Sequence, residues 1–473
     1  MTSLHPLRDP DAVVVRSAVL REGARVRALE SKSVLQRLFF MGLLSTSPLE
    51  VTSRLRSGDV HDALSVIGSL GAGVDIDGDR ILITPAVIDG KQEGRFPESL
   101  CRCEASGTAF RFGVAAAAAL GRSVRFTCGN RLSQRPVAEL LSVLARGGVD
   151  VAHGNGTKGK DGLSFSLGGR LRAGLHHITG SVSSQYVSAM LTALASLEGE
   201  SRLLVEAPVL SRPYIDMTAV MLERFGTPVE VEIDAGEEHP LLLRVRGMGG
   251  LASPGTASAP GDWSDAAFWL AACAVSPSGT RITVEGLEAD ALQGDRAVVG
   301  LLRRFGALVL ETPGAVTLES APLTGIDFDA SETPDLVPAL AVVAGAALGL
   351  TRIHGVDALR HKESDRIASV RAMLASLGVV TRETHVGVDA NGHPSGTVLE
   401  IEGLGGRFRG ASPARIPTEG DHRIVMAAAA AAFNADRPVV VTGASAAAKS
   451  HPGFFKDLSA VLTTPIASLH YLV

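Results

Sequence analysis

Apolar residues recur along this chain with the spacing of a helix, and each such run ends in the same way. Five segments show a helix-period apolar pattern, then a glycine, then the β-branched residues of a strand: A-L-S-V-I-G-S-L-G-A-G-V-D-I (63–76), L-L-S-V-L-A-R-G-G-V-D-V (140–151), A-V-M-L-E-R-F-G-T-P-V-E-V (219–231), V-V-G-L-L-R-R-F-G-A-L-V-L (298–310) and V-R-A-M-L-A-S-L-G-V-V-T-R (370–382). A glycine in this position is typical of a helix C-terminus. The segments return about every 70–80 residues, which indicates a repeated supersecondary unit.

A final helical pattern at 454–461 falls near the end of a sixth unit. Strands that alternate with helices predict an α/β or α+β fold. Because 473 residues exceed the size of a single core, we expect two domains with three units each. The stretch G-M-G-G-L-A-S-P-G-T-A-S-A-P-G (247–261) has the composition of a domain boundary, although it is equally typical of a long surface loop.

Clusters of hydroxyls, glycines and cations precede several of the predicted helices. They are S-K-S-V-L-Q-R (31–37), A-S-G-T-A-F-R-F (105–112), G-S-V-S-S-Q-Y (180–186), S-R-P-Y-I-D (211–216), H-K-E-S-D-R-I (361–367) and G-D-H-R (420–423). Each hydroxyl could be an ordinary N-cap. Cations, however, are disfavoured at the positive end of a helix, and Arg37, Arg111, Arg366 and Arg423 lie at or near helix starts. These clusters therefore predict anion sites for substrates that carry phosphate and carboxylate groups.

The overall composition excludes several classes of protein. A net charge of −5 gives no broad basic surface for nucleic acid. The four cysteines form no C-x-x-C pair, so we expect neither zinc nor disulfides, as in a reducing cytoplasm. The N-terminus lacks a signal-peptide pattern, and the longest apolar stretch, 336–350, is too short to span a bilayer. The loops G-x-x-x-x-G-K-[ST] and G-x-S-x-G are absent. What remains is acid–base chemistry on a bound anion, with Lys32, Glu363 and Asp335 as candidates and a helix cap as the alternative for Asp335.

Taken together, the motifs resemble those of the 5-enolpyruvylshikimate-3-phosphate (EPSP) synthase family. The polar clusters are similar to its motifs, and N-R-L-S-Q-R-P (130–136), P-D-L-V-P-A-L (334–340) and A-K-S-H-P-G-F-F (448–455) complete the set in the family's order. The resemblance runs from about Lys32 to Phe455. It implies an α/β fold of the inside-out barrel type with two lobes of three βαβαββ repeats each, 30–258 for the N-terminal lobe and 1–29 plus 259–473 for the C-terminal lobe.

The same resemblance implies a reaction and its residues. The enolpyruvyl group of phosphoenolpyruvate would pass to the 5-hydroxyl of shikimate 3-phosphate in chorismate and aromatic amino acid biosynthesis. We expect a cytoplasmic monomer with no metal or organic cofactor, no nucleic acid and no membrane. Lys32, Asp335 and Glu363 would be catalytic. Shikimate 3-phosphate would contact Ser33, Arg37, Ser183, Ser184, Gln185, Ser211, Tyr214, Asp335 and Lys362. Phosphoenolpyruvate would contact Lys32, Gly107, Arg131, Gln185, Arg366, Arg423 and Lys449.

Some positions depart from the family's usual pattern, namely Glu30, Leu35, Ala105, Phe112 and Ala358. They leave room for an enolpyruvyl transferase of this fold with a different hydroxylated acceptor. The sister transferase that acts on UDP-N-acetylglucosamine is a poorer match, because it carries K-N where this chain has Lys32 and Ser33, and a loop cysteine where this chain has Cys128 in a strand-like run. A non-catalytic anion-binding homologue is a further alternative, but such a protein is expected to lose its acid–base groups first.

Overall fold

The structure is a computed structural model, and it describes residues 11–16, 18–86, 99–153, 163–233, 241–289, 292–388, 394–463 and 467–468. Residues 1–10, where the sequence predicts no signal peptide, lie outside these ranges. The chain divides into two compact units. Unit 1 comprises 1–29, 261–291 and 295–473, and unit 2 comprises 30–260 and 292–294.

Strands and helices alternate along the described parts of the chain. The strands are β1 (Val13–Val15), β2 (Ala24–Arg27), β3 (Leu49–Thr52), β4 (Gly73–Asp77), β5 (Arg80–Thr84), β6 (Ser99–Cys103), β7 (Val124–Cys128), β8 (Val149–His153), β9 (Ser164–Gly169), β10 (Leu175–Thr179), β11 (Glu198–Glu206), β12 (Val229–Ile233), β13 (Leu241–Met248), β14 (Thr256–Ser258), β15 (Arg281–Glu285), β16 (Leu308–Thr312), β17 (Ala315–Glu319), β18 (Asp327–Asp329), β19 (Leu348–His354), β20 (Val380–Val388), β21 (Pro394–Leu404), β22 (Ala414–Ile416), β23 (Val439–Val441) and β24 (Ala467–Ser468).

The helices separate these strands. They are α1 (Lys32–Leu43), α2 (Gly58–Ser69), α3 (Gly107–Leu120), α4 (Asn130–Ser133), α5 (Ala138–Arg146), α6 (Ser184–Ala195), α7 (Arg212–Arg224), α8 (Trp263–Ala274), α9 (Val298–Phe305), α10 (Val337–Ala346), α11 (Arg366–Ser376), α12 (His422–Ala431) and α13 (Phe454–Val461). Short 3-10 helices lie at Gly294–Ala297, Pro334–Leu336, Asp357–His361, Ala432–Asn434 and Ala444–Lys449.

The described strands form six four-stranded sheets, three in each unit. Every sheet has one parallel pair at one edge, followed by two antiparallel pairings; β10, β11, β13 and β12 form such a sheet in that order. In four of the sheets a single helix connects the parallel strands, as α3 does between β6 and β7. The predicted α/β class and its repeated β-α-β units are therefore confirmed.

The glycine at the end of each repeated helix adopts a left-handed backbone. The φ angles are 100° at Gly71, 97° at Gly148, 74° at Gly226, 115° at Gly306 and 82° at Gly378. A side chain is strained in this region, whereas glycine reverses the chain there at little cost. The glycine pattern of the sequence thus corresponds to one turn used five times. The predicted sixth helix is also present, as α13.

The boundary stretch 247–261 contains strand residues as well as loop. Gly247 and Met248 end β13, and residues 256–258 form β14, which pairs in parallel with β3, while Pro260 is the last residue of this part of unit 2. The prediction of a plain loop, which the composition left open, is wrong for these five residues. A strand this short between glycines and prolines forms because its partner β3 supplies the hydrogen bonds.

Alanine-rich helices that are apolar on all sides pack in the middle of each unit. In unit 1 these are α8, α10 and α12, which contact one another, and in unit 2 α3 contacts both α1 and α6. A helix without a polar face is stable only when it is buried all round. Its exposed chemistry is then confined to its ends, where the polar clusters of the sequence lie.

Within the described ranges, the helices all fall short of the length and apolar character that a membrane span needs. Across the same residues, no group of three or more His, Cys, Asp and Glu side chains is arranged to hold a metal ion.

Candidate functional site

The first cluster lies in unit 1 and centres on Arg366, the first residue of α11. Its guanidinium donates to three carboxylates: Nε to Asp421 at 2.8 Å, Nη1 to Asp335 at 2.6 Å and Nη2 to Glu363 at 2.5 Å. The Arg366 side chain is 1% exposed. A buried cation at the positive end of a helix is unfavourable unless carboxylates surround it, and here three do. The cluster formed by Arg366, these carboxylates and the cations around them is called the Arg366 cluster below.

Three more cations contact the same carboxylates. Lys362 Nζ lies 3.4 Å from Asp335 Oδ1, and Arg423 Nη2 lies 3.1 Å from Asp335 Oδ2. Lys449 Nζ lies 3.1 Å from Glu363 Oε1. Four cations and three carboxylates thus meet in the Arg366 cluster, and cations gathered at helix starts favour a bound anion.

Lys362 and Arg366 share one carboxylate oxygen. The resemblance assigns Lys362 to shikimate 3-phosphate and Arg366 to phosphoenolpyruvate, and in the structure both cations contact Asp335 Oδ1. The side chain of Asp335 lies in the 3-10 helix Pro334–Leu336 and makes no cap bond; it joins these cations instead. The helix-cap alternative for Asp335 is therefore wrong.

The cations also control the protonation of Asp335. Burial alone would raise the pKa of this carboxyl, but the attraction of Arg423, Lys362 and Arg366 holds its pKa well below the ordinary value. Asp335 is consequently an ionised hydrogen-bond acceptor at neutral pH and a weak proton carrier.

Asp421 was not singled out from the sequence, although it is the most buried carboxylate of the Arg366 cluster. Its side chain is 0% exposed and caps α12 by accepting the amide of Arg423 at 2.9 Å. It also accepts a hydrogen bond from Ser364 Oγ at 3.1 Å. The local signal was present, because Asp421 immediately precedes an alanine-rich helix. Its pairing with Arg366 is long-range and could not be read locally.

A further buried carboxyl in unit 1, that of Asp295, differs from Asp335 in its pKa. It is 1% exposed and accepts a hydrogen bond from the Ser264 hydroxyl. Burial, and then repulsion from Asp335, raises its pKa to about 7, against the opposing attraction of Arg423. Asp295 is therefore about half protonated near neutral pH, unlike the ionised Asp335. Sequence reasoning missed it because nothing in Q-G-D-R signals burial.

The second cluster lies in unit 2, where α1 begins with Lys32. The Lys32 Nζ lies 2.7 Å from Asp59 Oδ2 in the first turn of α2, and both side chains are largely buried. Gln36 lies one turn further along α1, and its Nε2 donates to the Asp59 carbonyl at 2.9 Å and to Ser106 Oγ at 2.7 Å. The starts of α1, α2 and α3 are thereby joined around Lys32, a link that the sequence did not reveal.

Arg37 follows on α1 in an environment of neutral acceptors. It donates to Thr218 Oγ1 at 2.8 Å, to the Ser33 carbonyl at 2.9 Å and to the Tyr214 carbonyl at 3.1 Å. Its guanidinium also lies 5.4 Å from the centroid of the Phe112 ring. Burial lowers the pKa of Arg37 to about 10. A buried cation among neutral groups favours an incoming anion or hydroxyl oxygen.

Gln185 and Arg111 connect two other predicted anion sites of unit 2. Arg111 Nη1 donates to Gln185 Oε1 at 2.6 Å, and Gln185 Nε2 donates to Thr108 Oγ1 at 3.0 Å. Gly107 begins α3 beside them, and a Cβ built on it would lie 2.7 Å from Arg111 and 2.5 Å from Arg135 nitrogen atoms. A side chain at this position would displace two guanidinium groups.

The remaining predicted residues of unit 2 lie at helix starts. Ser183 caps α6 and accepts the Gln185 amide at 3.3 Å, and Ser184 is the first residue of α6. Ser211 precedes α7 with a left-handed backbone, φ 52°. Arg131 lies in the short α4 with an exposed side chain. The nearby Arg135, which the sequence analysis did not select, is the one whose guanidinium adjoins Gly107.

All four cysteines are buried and unsuited to nucleophilic chemistry. Burial raises the pKa of Cys128 to about 11 and the pKa values of Cys101 and Cys273 to about 12, and it raises the pKa of Cys103 further. Cys128 lies in β7, as its sequence context predicts. No thiol of this chain is therefore ionised at neutral pH.

Comparisons with known proteins agree with this arrangement. The family model described as EPSP synthase (3-phosphoshikimate 1-carboxyvinyltransferase) matches residues 21–458. A 3-phosphoshikimate 1-carboxyvinyltransferase of Methanocorpusculum labreanum is 34% identical over 434 residues, 92% of this chain and 94% of that protein. The enzyme of the same name from Methanopyrus kandleri is 36% identical over 433 residues, 91% of this chain and 94% of that protein.

Solved structures show the same fold. EPSP synthase from Acinetobacter baumannii superposes with a TM-score of 0.74 at 22% identity, over 97% of this chain and 100% of that one. The enolpyruvyl transferase NikO from Streptomyces tendae superposes with a TM-score of 0.69 at 19% identity, over 97% of this chain and 99% of that one.

Proposed function

Because the chain belongs to the EPSP synthase family, we propose that it transfers the enolpyruvyl group of phosphoenolpyruvate to the 5-hydroxyl of shikimate 3-phosphate. The observation that carries the proposal is the Arg366 cluster. Its two partly exposed carboxylates, Asp335 and Glu363, each contact at least two cations. Acid–base groups and positive charge for a phosphate or carboxylate thus lie within one cluster.

The proposed reaction is an addition followed by an elimination. The 5-hydroxyl oxygen bonds to C2 of phosphoenolpyruvate while C3 takes a proton, which gives a tetrahedral intermediate. The bond between C2 and the phosphate oxygen then breaks, C3 returns its proton, and the hydroxyl proton leaves with inorganic phosphate. Asp335 orients the attacking hydroxyl as an ionised acceptor, and Glu363 and Lys32 exchange the proton at C3.

Each substrate is assigned a set of residues within this proposal. The phosphate of shikimate 3-phosphate binds at the starts of α6 and α7, where hydroxyls and backbone N–H groups favour an anion. The ring hydroxyls of shikimate 3-phosphate contact the cation and the hydrogen-bond acceptors of α1 and α7. The set is Ser33, Arg37, Ser183, Ser184, Gln185, Ser211, Tyr214, Asp335 and Lys362. Phosphoenolpyruvate takes the set Lys32, Gly107, Arg131, Gln185, Arg366, Arg423 and Lys449.

We further propose the setting in which the protein acts. It is a cytoplasmic monomer of chorismate and aromatic amino acid biosynthesis that needs no metal or organic cofactor. The cations of the Arg366 cluster support the lack of a metal requirement, because arginine and lysine supply the charge stabilisation that a metal ion provides in other phosphate-handling sites. Activity in a metal-free buffer with a chelator, together with the mass in solution by light scattering, tests these points.

The first experiment is phosphate release from phosphoenolpyruvate and shikimate 3-phosphate by the purified protein. Glu363→Gln keeps the size of the side chain but removes its proton transfer, so we expect turnover to fall by roughly 10²–10⁴-fold. Glu402→Gln is the matched control, since Glu402 is an exposed residue of β21 whose side chain is 63% exposed. Turnover that survives in E363Q contradicts the assigned role.

A second outcome would exclude shikimate 3-phosphate as the acceptor and keep phosphoenolpyruvate as the donor. If phosphoenolpyruvate binds but no phosphate appears with shikimate 3-phosphate, the acceptor is a different hydroxylated molecule. If phosphoenolpyruvate does not bind at all, the proposed reaction is refuted. Calorimetric titration of each substrate separately distinguishes these two results.

A further inference from the structure

Three consecutive backbone N–H groups in unit 2 point at the carboxylate of Asp62. The amides of Glu104, Ala105 and Ser106 donate to it with N···O distances of 3.3, 2.9 and 2.7 Å. The Cys103 Sγ atom lies 3.6 Å from Asp62 Oδ2 as well. Successive N–H groups that converge in this way form an anion-binding nest. Here the anion is a side chain of the protein itself, from the second turn of α2.

This loop determines how α3 begins. β6 ends at Cys103 and α3 starts at Gly107, so residues 104–106 are the whole connection between them. Ser106 is 0% exposed, and its Oγ accepts the Ala109 amide at 3.2 Å as the cap of α3. Ala105 has no polar side-chain atom. The three backbone bonds to Asp62 hold the middle of the loop.

Asp62 acts together with Asp59, which lies one turn earlier on the same helix. Residues three apart on a helix share a face, and on this face Asp59 holds Lys32 while Asp62 holds the 104–106 loop. The start of α2 thus positions two of the elements that the proposed function assigns to phosphoenolpyruvate, the Lys32 ammonium and the first turn of α3. A carboxylate near the start of α3 also favours that helix through its dipole.

The position of Gly107 leaves little tolerance for a shift of the loop. A Cβ there would already lie within 2.7 Å of nitrogen atoms of Arg111 and Arg135, so the backbone of Gly107 is packed directly against two guanidinium groups. A movement of residues 104–106 would displace Gly107 relative to these cations. An anion bound at this helix start would lose aligned N–H donors and charge together.

We infer that Asp62 is a positioning residue for the enolpyruvyl donor. Its carboxylate holds the 104–106 loop, and the loop holds Gly107 and the first turn of α3 where they meet phosphoenolpyruvate. The inference rests on the proposed function. It concerns a residue outside both substrate sets of the proposed function, which acts through the backbone that it holds.

The test compares Asp62→Ala and Asp62→Asn with the wild type by steady-state phosphate release, each substrate being varied while the other is saturating. We expect D62A to raise the KM for phosphoenolpyruvate about tenfold or more, because three charge-assisted hydrogen bonds are lost. kcat and the KM for shikimate 3-phosphate stay within about threefold. D62N keeps an acceptor oxygen without the charge, so its KM for phosphoenolpyruvate falls between the two. Asp79→Asn is the control, an exposed acidic residue of unit 2 that pairs with Arg54.

Each outcome decides the inference. An unchanged KM for phosphoenolpyruvate in D62A overturns the inference. If thermal stability and kcat fall while that KM stays unchanged, Asp62 has a purely structural role, and the inference is overturned as well. If D62A does not fold, the near-isosteric D62N supplies the same comparison. A wild-type protein without any turnover overturns the proposed function and this inference with it, whereas turnover with an unaffected KM in the variants overturns only the inference. Hydrogen exchange at the 104–106 amides is expected to accelerate in D62A; unchanged protection there also overturns it.

Discussion

The substitution Asp421→Asn removes one negative charge from the most buried part of the Arg366 cluster. Asp421 is 0% exposed and contacts Arg366 through Nε at 2.8 Å and Nη2 at 3.4 Å. Asparagine keeps the size of the side chain and an oxygen that can still cap α12. The change therefore keeps the shape of the side chain and its capping bond through Oδ1, and removes both the charge and the Oδ2 acceptor of Arg366 Nε and Ser364 Oγ.

The contacts that remain set the expected loss of stability. Removing one partner of a buried ion pair costs about 3–5 kcal/mol. Arg366 retains its contacts with Asp335 and Glu363 in D421N, so we expect the lower end, about 3 kcal/mol. Asp421→Ala also loses the cap of α12, which adds about 1 kcal/mol. The free energy of unfolding therefore decreases from the wild type to D421N and again to D421A.

Urea denaturation followed by tryptophan fluorescence measures this loss in unit 1 alone. The chain has two tryptophans, Trp263 and Trp269, and both are buried in α8 of unit 1. For a slope of about 3 kcal/mol per molar urea, the midpoint of D421N falls by about 1 M. The control Glu402→Gln removes an exposed carboxylate 3.9 Å from Arg382 and should cost less than about 0.5 kcal/mol.

The comparison between these two variants can refute the reasoning. If D421N shifts the midpoint no more than E402Q, the charge of Asp421 does not stabilise Arg366, and the Arg366 cluster is held by Asp335 and Glu363 alone. If D421N and D421A are equal, the capping oxygen contributes nothing to α12. An unchanged slope is required for either conclusion, because a change in the slope signals a different denatured state.

Three further predictions follow from the buried groups and from Gly107. Burial alone would lower the pKa of the His451 imidazole, but Asp265, 2.7 Å away, and Asp457 raise it to about 10. Folding therefore favours the protonated imidazole. The resulting stabilisation is complete below about pH 6.5 and is lost as the pH rises toward 10. The urea midpoint of the wild type should fall more steeply across that window than that of His451→Gln, and parallel curves would refute the role of the imidazolium. Gly107→Ala should raise the KM for phosphoenolpyruvate roughly tenfold in the phosphate-release assay, because its Cβ displaces two guanidinium groups. An unaltered KM would show that phosphoenolpyruvate binds away from Gly107. The four buried cysteines should resist iodoacetamide at pH 8 in the native protein and react after denaturation, because burial keeps their thiols protonated. Mass spectrometry measures the labelling, and rapid labelling of the native protein would contradict the buried placement of the cysteines.

Features that repeat along the chain could be predicted, because they depend on local physics. The glycine of each repeat has a left-handed backbone, and this requirement appears in the sequence as a glycine at a fixed place after a helix. The helix at 454–461 was predicted with the same ends that the structure shows. Helix starts at Lys32, Gly107, Ser184 and Arg366 also coincide with the polar clusters.

Contacts between distant residues could not be predicted in the same way. Asp59 meets Lys32 only because α1 and α2 pack together, and no spacing rule links the two residues. Asp421 lies 55 positions from Arg366 along the chain. The short strand β14 likewise depends on β3, a partner about 200 residues earlier. In each case the decisive neighbour is supplied by tertiary packing, which the local pattern does not encode.

The order in which the strands of unit 1 meet has a consequence for biosynthesis on the ribosome. β1 and β2 precede the other described strands in the chain, but Val14 pairs with Val440 and Val26 with Val284, so both strands wait for partners made later. Unit 2 is almost continuous in the chain and can complete its sheets soon after residue 260 leaves the exit tunnel. β2 therefore lacks its partner until residues 282–285 are made, and β1 until residues 439–441 are made. The three valines of β1 stay without a strand partner for longest, which makes this apolar segment of the nascent chain a client for chaperones that shield such segments.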